Sequence, residues 1–264
     1  MAKNAVAKTT ASDVASFEDL DLDEDVASRD ELLIPFYRVL QANSPEVEEG
    51  TVEGAKAGMI INNVSKELFD HLDVLMVHRF DAFVEWVPRD QGGGGGKGFV
   101  GMHKRASDEV LNAIKENGGT QFGDLRIGKN SLVETFYAYV LVCDFENKVQ
   151  TGFGVIDFYK TKIKPYKQWI SNMQMVTPAQ KSFAVFRTRL TTEKQKNEKG
   201  SFYNWVVRPA NGTNWKDSIV TRPDFDNLLH CCKDMRNMVK AGQAVADFAN
   251  QGGADPAQDG EAPF

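Results

Sequence analysis

The 264-residue chain is 42% hydrophobic and 26% charged, with a formal net charge of −6, which is typical of a globular protein long enough to bury a core. No apolar run reaches the roughly 20 residues that cross a bilayer, and no basic-then-apolar export signal opens the chain. Cys143, Cys231 and Cys232 fit neither a disulfide framework nor a metal-ligand spacing, so we expect a reducing, cytoplasmic environment.

The charge is distributed unevenly along the chain. Residues 1–31 carry three basic and nine acidic side chains, and residues 241–264 carry four acids and no base. The middle, 32–240, carries 28 bases and 24 acids, and within it 158–216 has twelve bases against two acids. A basic body between acidic ends is typical of a protein that binds a polyanion. The alternative is a basic solvated face that binds no ligand.

The folded part is predicted to follow an acidic N-terminal segment. Residues 1–31 are rich in Ala, Ser and Asp and poor in aromatics, which predicts a disordered tail. Apolar runs at 32–40 and 58–64 predict short strands. The longer run 74–87 predicts a strand with a bend or bulge at Asp81.

A glycine-rich run occupies residues 92–98. A phosphate-binding loop of the Walker type needs glycine, four residues and then Gly-Lys-Ser/Thr, but Gln91 stands at the first position and Gly98 replaces the hydroxyl. We therefore predict a mobile hairpin tip that closes over a nucleic-acid backbone, with a linker of no further role as the alternative. The residues expected to contact nucleic acid here are Arg89, Lys97, Phe99, Lys104 and Arg105.

A short helix and a long hairpin come next in the chain. Residues 107–117 predict a helix that Ser107 caps. Residues 132–145 and 148–159 are both rich in β-branched and aromatic side chains, so they predict a hairpin with a tight turn at 146–147.

The basic segment is predicted to contain a second helix. Thr177 supplies a capping hydroxyl, a proline follows it, and a glutamine stands three residues later, so we predict a helix over 177–190 that projects Arg187 and Arg189. The charged residues 191–201 are predicted to form a mobile loop.

A strand and a long helix complete the predicted fold. Residues 202–208 have strand composition, and apolar residues recur at helical spacing over 223–250. The chain is therefore predicted to be α+β, mainly β: an OB-fold-like antiparallel barrel elaborated with helices over 32–248. Acidic tails, predicted to be disordered, precede and follow it at 1–31 and 249–264.

No catalytic constellation stands out in the sequence. The four histidines are scattered and form no zinc-binding spacing with the cysteines. We therefore expect a protein that is not an enzyme and that carries no metal or cofactor.

Aromatic and basic residues alternate through 158–216. Single-strand binding that tolerates any sequence needs cations along the phosphates and flat rings on which bases stack, each stacked base contributing about 1–3 kcal/mol. We interpret Tyr166, Trp169 and Trp215 as exposed rings and Trp205 as core. The residues predicted to bind nucleic acid in this segment are Lys160, Lys162, Lys164, Tyr166, Lys167, Trp169, Arg187, Arg189, Lys194, Lys196, Lys199, Tyr203, Arg208, Trp215 and Lys216.

The last ten residues, 255–264, contain acids spaced by small and turn-forming residues, no base, and a phenylalanine at the end. This segment resembles the acidic, Phe-terminated tip of single-stranded DNA-binding proteins of bacteria and double-stranded DNA phages. In that family the tip recruits replication and repair partners and competes with DNA for the protein's own groove. The resemblance implies that the partner-binding residues are Asp255, Asp259, Glu261, Pro263 and Phe264.

The resemblance implies a phage-encoded protein that binds single-stranded DNA in replication, recombination and repair. Its partners would be a polymerase, a helicase or another host enzyme, in the host cytoplasm. The alternative is an interaction protein, such as a nuclease inhibitor or a transcription regulator, whose acidic tails occupy another protein's nucleic-acid site.

Overall fold

Most of the predicted binding domain is described in the computed structural model. The described residues are 33–88, 91–92, 98–119, 124–176, 182–198, 200–221, 223–244, 246 and 248. The acidic segments predicted at 1–31 and 249–264, and the helix start predicted at Thr177, fall outside them. The described residues belong to one compact unit that begins at Leu33.

Strands dominate the described chain. They are β1 Tyr37–Val39, β2 Ile60–Asn62, β3 Leu68–Phe69, β4 Leu72–Trp86, β5 Phe99–His103, β6 Arg126–Ile127, β7 Asn130–Asp144, β8 Val149–Tyr159, β9 Thr188–Asn197 and β10 Gly200–Pro209. The α-helices are α1 Pro45–Glu48, α2 Asp108–Glu116, α3 Ile163–Val176 and α4 Asp226–Lys240. Short 3₁₀ helices occupy Lys160–Lys162, Phe183–Val185 and Trp215–Ser218.

The strands form two antiparallel sheets. One has the order β1-β2-β3, and the other runs β10-β9-β4-β7-β6, with β5 paired to β4 and β8 paired to β7. The predicted class, α+β and mainly β, is confirmed. The predicted OB-fold-like barrel is not confirmed, because no pairing between described strands closes either sheet.

The long strand β4 continues through the position where a bend was predicted. Asp81 lies in regular register opposite Phe136, and the register shift falls between Met76 and His78 instead. Asp81 needs no bulge, because its carboxylate points to solvent and accepts a hydrogen bond from Arg105 at 3.2 Å.

The centre of the large sheet is buried on both faces. Side chains alternate between the faces along β4 and β7, as strand geometry requires, so the sheet separates two cores. The first core, covered by α4, includes Leu75, Val77, Tyr139, Leu141, Leu228 and Cys232. The second core, covered by α3, includes Val74, Met76, Val140, Tyr166, Trp169 and Met173.

The long hairpin predicted from composition is confirmed as β7–β8. Its turn is held by Asp144, whose Oδ1 accepts hydrogen bonds from the backbone N–H groups of Glu146 and Asn147, both at 3.0 Å. Asx-type side chains favour such turns because they satisfy free backbone donors locally.

The helix predicted over 177–190 is wrong in its described part. Only Phe183–Val185 is helical, as a 3₁₀ turn, and β9 begins at Thr188. Phe186, Thr188 and Leu190 are each fully buried, and this period of two is that of a strand. The loop predicted over 191–201 is also wrong, because β9 and β10 pair there as a hairpin.

The other helices follow their predicted signals more closely. Ser107 caps α2, because its hydroxyl oxygen accepts from Val110 N. The long helix predicted over 223–250 is confirmed only as α4, which is shorter. It ends where Gly242 takes a left-handed φ of 72° and donates its N–H to Val239 O.

Gly154 of β8 packs closely against the chain that leads into β1. A Cβ added at Gly154 would lie 2.7 Å from Pro35 O and 2.6 Å from the Tyr37 ring. We expect Gly154→Ala to lower the free energy of unfolding by about 1–3 kcal/mol, because the chain around Pro35 must shift. Urea denaturation measures this.

The matched control is Gly101→Ala in β5, where an added Cβ meets no heavy atom within 4 Å. We expect this variant to be near wild type. Equal stability of the two variants would contradict the close approach of residue 35 to β8.

Candidate nucleic-acid interface

Helix α3 explains much of the aromatic–basic alternation. Tyr166 and Trp169 face the second core with relative exposures of 3% and 0%, whereas Lys164 and Lys167 are exposed. The prediction that these two rings are exposed stacking surfaces is therefore wrong. The rings follow the 3.6-residue period of one helix face, and the lysines lie on the other face.

The two buried rings of α3 have partners inside the protein. Trp169 Nε1 donates to Thr188 Oγ1 at 3.1 Å, and the Tyr166 ring stacks on Phe136 with centroids 4.7 Å apart. Trp205 has a relative exposure of 2%, so its interpretation as a core residue is confirmed.

The β9–β10 hairpin carries basic residues and a half-buried ring at its free end. Lys194 lies opposite Tyr203 on one face, and Lys196 follows on the same face two residues on. Both lysines are exposed. The Tyr203 ring also packs over Gly58, where an added Cβ would lie 2.5 Å from it.

The other face of the hairpin adjoins the segment that leads into α3. Asn204 is buried and donates through Nδ2 to Thr161 O at 3.1 Å and to Gln195 Oε1 at 3.2 Å. These bonds join both strands of the hairpin to the N-terminal side of α3. Asn204 and Gln195 were not among the predicted residues, and only the cross-strand register identifies them.

Two predicted arginines of the basic segment are engaged inside the protein. Arg189 makes a bidentate pair with Asp73, with both N···O distances at 2.7 Å, and this hydrogen bonding raises its pKa above the usual range. Arg187 donates to Asp217 O at 3.0 Å and lies 5.3 Å from the Phe225 ring centroid.

The 3₁₀ turn before α3 also holds cations close to the protein. Lys162 is buried, at 6% exposure, with Nζ 4.2 Å from the Tyr159 ring centroid, so it is poorly placed for a phosphate. Lys160 is half-buried with a left-handed φ of 47°.

The residues predicted around the glycine-rich run lie at the opposite end of β4 from the hairpin. Phe99 packs edge-on against Trp86 at 5.8 Å, and Arg105 pairs with Asp81 and Glu134. Lys104 is exposed. The structure therefore does not bring this group to the hairpin. Three further predicted residues fall outside the described residues: Arg89, Lys97 and Lys199.

The remaining predicted cations lie on neighbouring elements, which we call the basic surface. Helix α3 packs against β10 and Trp215–Ser218, and those two also contact each other. Trp215 is half-buried there, edge-on to Phe186 at 6.3 Å. The exposed cations of the basic surface are Lys164, Lys167, Lys194, Lys196, Arg208 and Lys216.

The cations of the basic surface differ from the other basic residues in their pairing. None of the six forms an ion pair with an acid that the structure describes, whereas Arg38, Arg105, Lys148 and Arg189 each do. The basic surface therefore extends over α3, the β9–β10 hairpin and Trp215–Ser218, which adjoin one another.

Two further properties of the described residues bear on chemistry and membranes. No group of His, Cys, Asp and Glu among them is arranged to hold a metal ion. None of the described helices is long and apolar enough to span a membrane.

Comparison with known proteins places this mainly β chain in a phage family. The family model for Pam3 phage gp34-like protein matches residues 3–244, and the chain therefore belongs to that family. No curated protein and no solved structure matches it. The family supports the phage part of the interpretation drawn from the acidic tail.

Proposed function

We propose that the protein is a non-catalytic single-stranded DNA-binding protein that coats and protects DNA during phage replication, recombination and repair in the host cytoplasm. The observation that carries this proposal is the basic surface: six exposed cations without a described acidic partner on adjoining elements. Such cations replace the counterions of phosphates, which gives affinity without sequence preference.

The proposed contacts differ from those that the sequence suggested. Lysines of α3 and the hairpin would follow the phosphates. Tyr203 and Trp215, which are half-buried, take the stacking role instead of the buried rings of α3. The proposed contacts involve no recognition helix of the kind that reads duplex DNA.

Titration of the full chain with oligo-dT at several salt concentrations tests the proposal. Six phosphate contacts predict that log K falls with log salt with a slope of about −4, since each single-strand contact contributes roughly −0.7. Stacking on Tyr203 or Trp215 predicts a change in protein fluorescence. Absence of binding at low salt, both for the full chain and for a chain lacking residues 249–264, would remove the proposal.

The acidic tail supplies a second prediction. We expect deletion of residues 249–264 to tighten oligo-dT binding several-fold at low salt, because the three acidic side chains in this segment compete with phosphates for the same cations. Isothermal titration of both forms measures this. Weaker binding by the shortened chain would contradict the competition.

The terminal aromatic is proposed to serve partner proteins rather than DNA. Phe264→Ala should leave oligo-dT affinity unchanged and abolish capture of a replication protein on a column that carries the full chain. Loss of DNA binding in this variant would contradict that division of roles.

A further inference from the structure

A groove of about 460 Å³ lies where β4 begins, β7 ends and β9 begins. Its volume is in the range of about 300–1,000 Å³ that small-molecule sites occupy. Two half-buried rings, Phe69 and Phe145, line it together with Arg187, Arg189, Asp73 and Glu146. The groove therefore combines flat apolar surfaces with positively charged hydrogen-bond donors and negatively charged hydrogen-bond acceptors.

Arg187 is a fixed donor in this groove. Its Nη2 is held by Asp217 O and its guanidinium by the Phe225 ring, so little freedom remains to be lost on binding. Its Nε is buried and donates a hydrogen bond to no described residue. The guanidinium is partly buried, and this burial lowers the pKa of Arg187 below its usual value, because water that would solvate the charge is excluded. A ligand acceptor would replace that water.

The acids of the groove determine which ligand it suits. Asp73 is neutralised by Arg189, and Asp144 holds the β7–β8 turn. Glu146 is exposed at that turn, and no described residue donates to its carboxylate. A phosphate would be repelled by Glu146, whereas a neutral ring that carries both acceptors and donors would satisfy Arg187 and Glu146 together.

Nucleobases are neutral rings with hydrogen-bond donors and acceptors, and the positions of these groups differ from base to base. Cytosine carries a carbonyl oxygen and a ring nitrogen as acceptors and an exocyclic amino group as donor. Thymine has a carbonyl oxygen where cytosine has the amino group, and carboxylates accept from that amino group in known base recognition. A carboxylate at Glu146 therefore favours cytosine over thymine.

We propose that this groove takes one unpaired base of the bound strand, between Phe69 and Phe145, with Arg187 donating to the base and Glu146 accepting from the amino group of cytosine. The inference rests on the proposed single-strand binding, and it adds a base preference to it. The groove adjoins the basic surface, because Arg189 in the groove lies opposite Arg208 in the β9–β10 register.

Competitive titration of oligo-dC and oligo-dT of equal length at pH 8 tests the inference. We expect the full chain to bind oligo-dC about fivefold more tightly than oligo-dT, because each bound protein makes one additional charged hydrogen bond to cytosine. Glu146→Gln should bring the dC:dT affinity ratio close to one while the melting temperature stays unchanged. A ratio that is the same in this variant and in the wild type would overturn the inference.

The matched control is Glu193→Gln, which removes an exposed acid from β9 outside the groove. It should raise both affinities slightly and leave the ratio unchanged, because the general charge effect on phosphates is the same for both oligonucleotides. A ratio that falls equally in this control would also overturn the assignment to Glu146.

Photocrosslinking with an oligonucleotide that contains 5-iodocytosine locates the base directly. We expect adducts on peptides that contain Phe69 or Phe145. Adducts confined to Tyr203 or Trp215 would overturn the groove as a base site and leave the proposed function standing. Absence of binding to either oligonucleotide at low salt, both by the full chain and by the chain lacking residues 249–264, would remove the proposed function, and the groove inference with it.

Discussion

Replacing Lys164, Lys167, Lys194 and Lys196 together with glutamine is expected to weaken oligo-dT binding roughly a hundredfold at about 0.1 M salt. These lysines are exposed and form no ion pair with a described acid, so their replacement breaks no internal bond. Each lost phosphate contact should also reduce the slope of log K against log salt, by about three in total. Fluorescence titration at four salt concentrations measures both quantities.

A control with the same change of net charge separates local contacts from the overall field. Lys104, Lys115, Lys129 and Lys233 are exposed and lie outside the basic surface. Their joint replacement with glutamine should change affinity only a few-fold and leave the salt slope near its original value, since charges beyond a Debye length are screened. Equal losses in the two variants would show that the basic surface is not where DNA binds.

The elements with local signals were predictable from the sequence. The β7–β8 hairpin follows from two β-branched and aromatic runs around a turn, and α2 follows from the Ser107 cap. Both depend on interactions between residues that are near each other in the chain, and such interactions leave a pattern that a sequence shows directly.

Elements whose stability comes from distant partners were not predictable in the same way. The charged run in β9 looks like a loop by composition, but pairing with β10 makes it a strand. Helix α3 was not predicted, because its aromatic residues and the lysines beside them were interpreted together as a nucleic-acid-binding pattern. The spacing of Tyr166, Trp169 and Met173 was the available signal.

The candidate site shows the same limit. The high density of basic residues in 158–216 is visible in the sequence, but their pairing is not, because Asp73 is 116 residues away from Arg189. Only the folded arrangement separates the arginines that hold the protein together from the lysines that remain exposed.

Trp169 provides the strongest test of this separation. It is fully buried, packs on Phe158 with centroids 6.2 Å apart and donates to Thr188. Trp169→Ala is expected to lower the free energy of unfolding by about 3–5 kcal/mol, since a large core side chain is lost and a cavity remains. In a chain of this size the melting temperature should fall by about 10 °C. Calorimetry on the variant and the wild type measures this.

Trp215 is the comparison, because it is half-buried on the basic surface. Trp215→Ala should lower the free energy of unfolding by no more than about 1 kcal/mol. It should weaken oligo-dT binding by the contribution of one stacked base, roughly 1–3 kcal/mol. The conservative Trp169→Phe should keep the fold and the oligo-dT affinity. If Trp169→Phe instead lost affinity while its melting temperature stayed unchanged, the Trp169 ring would be a contact for bases, as the sequence first suggested, and the burial of that face of α3 would be wrong.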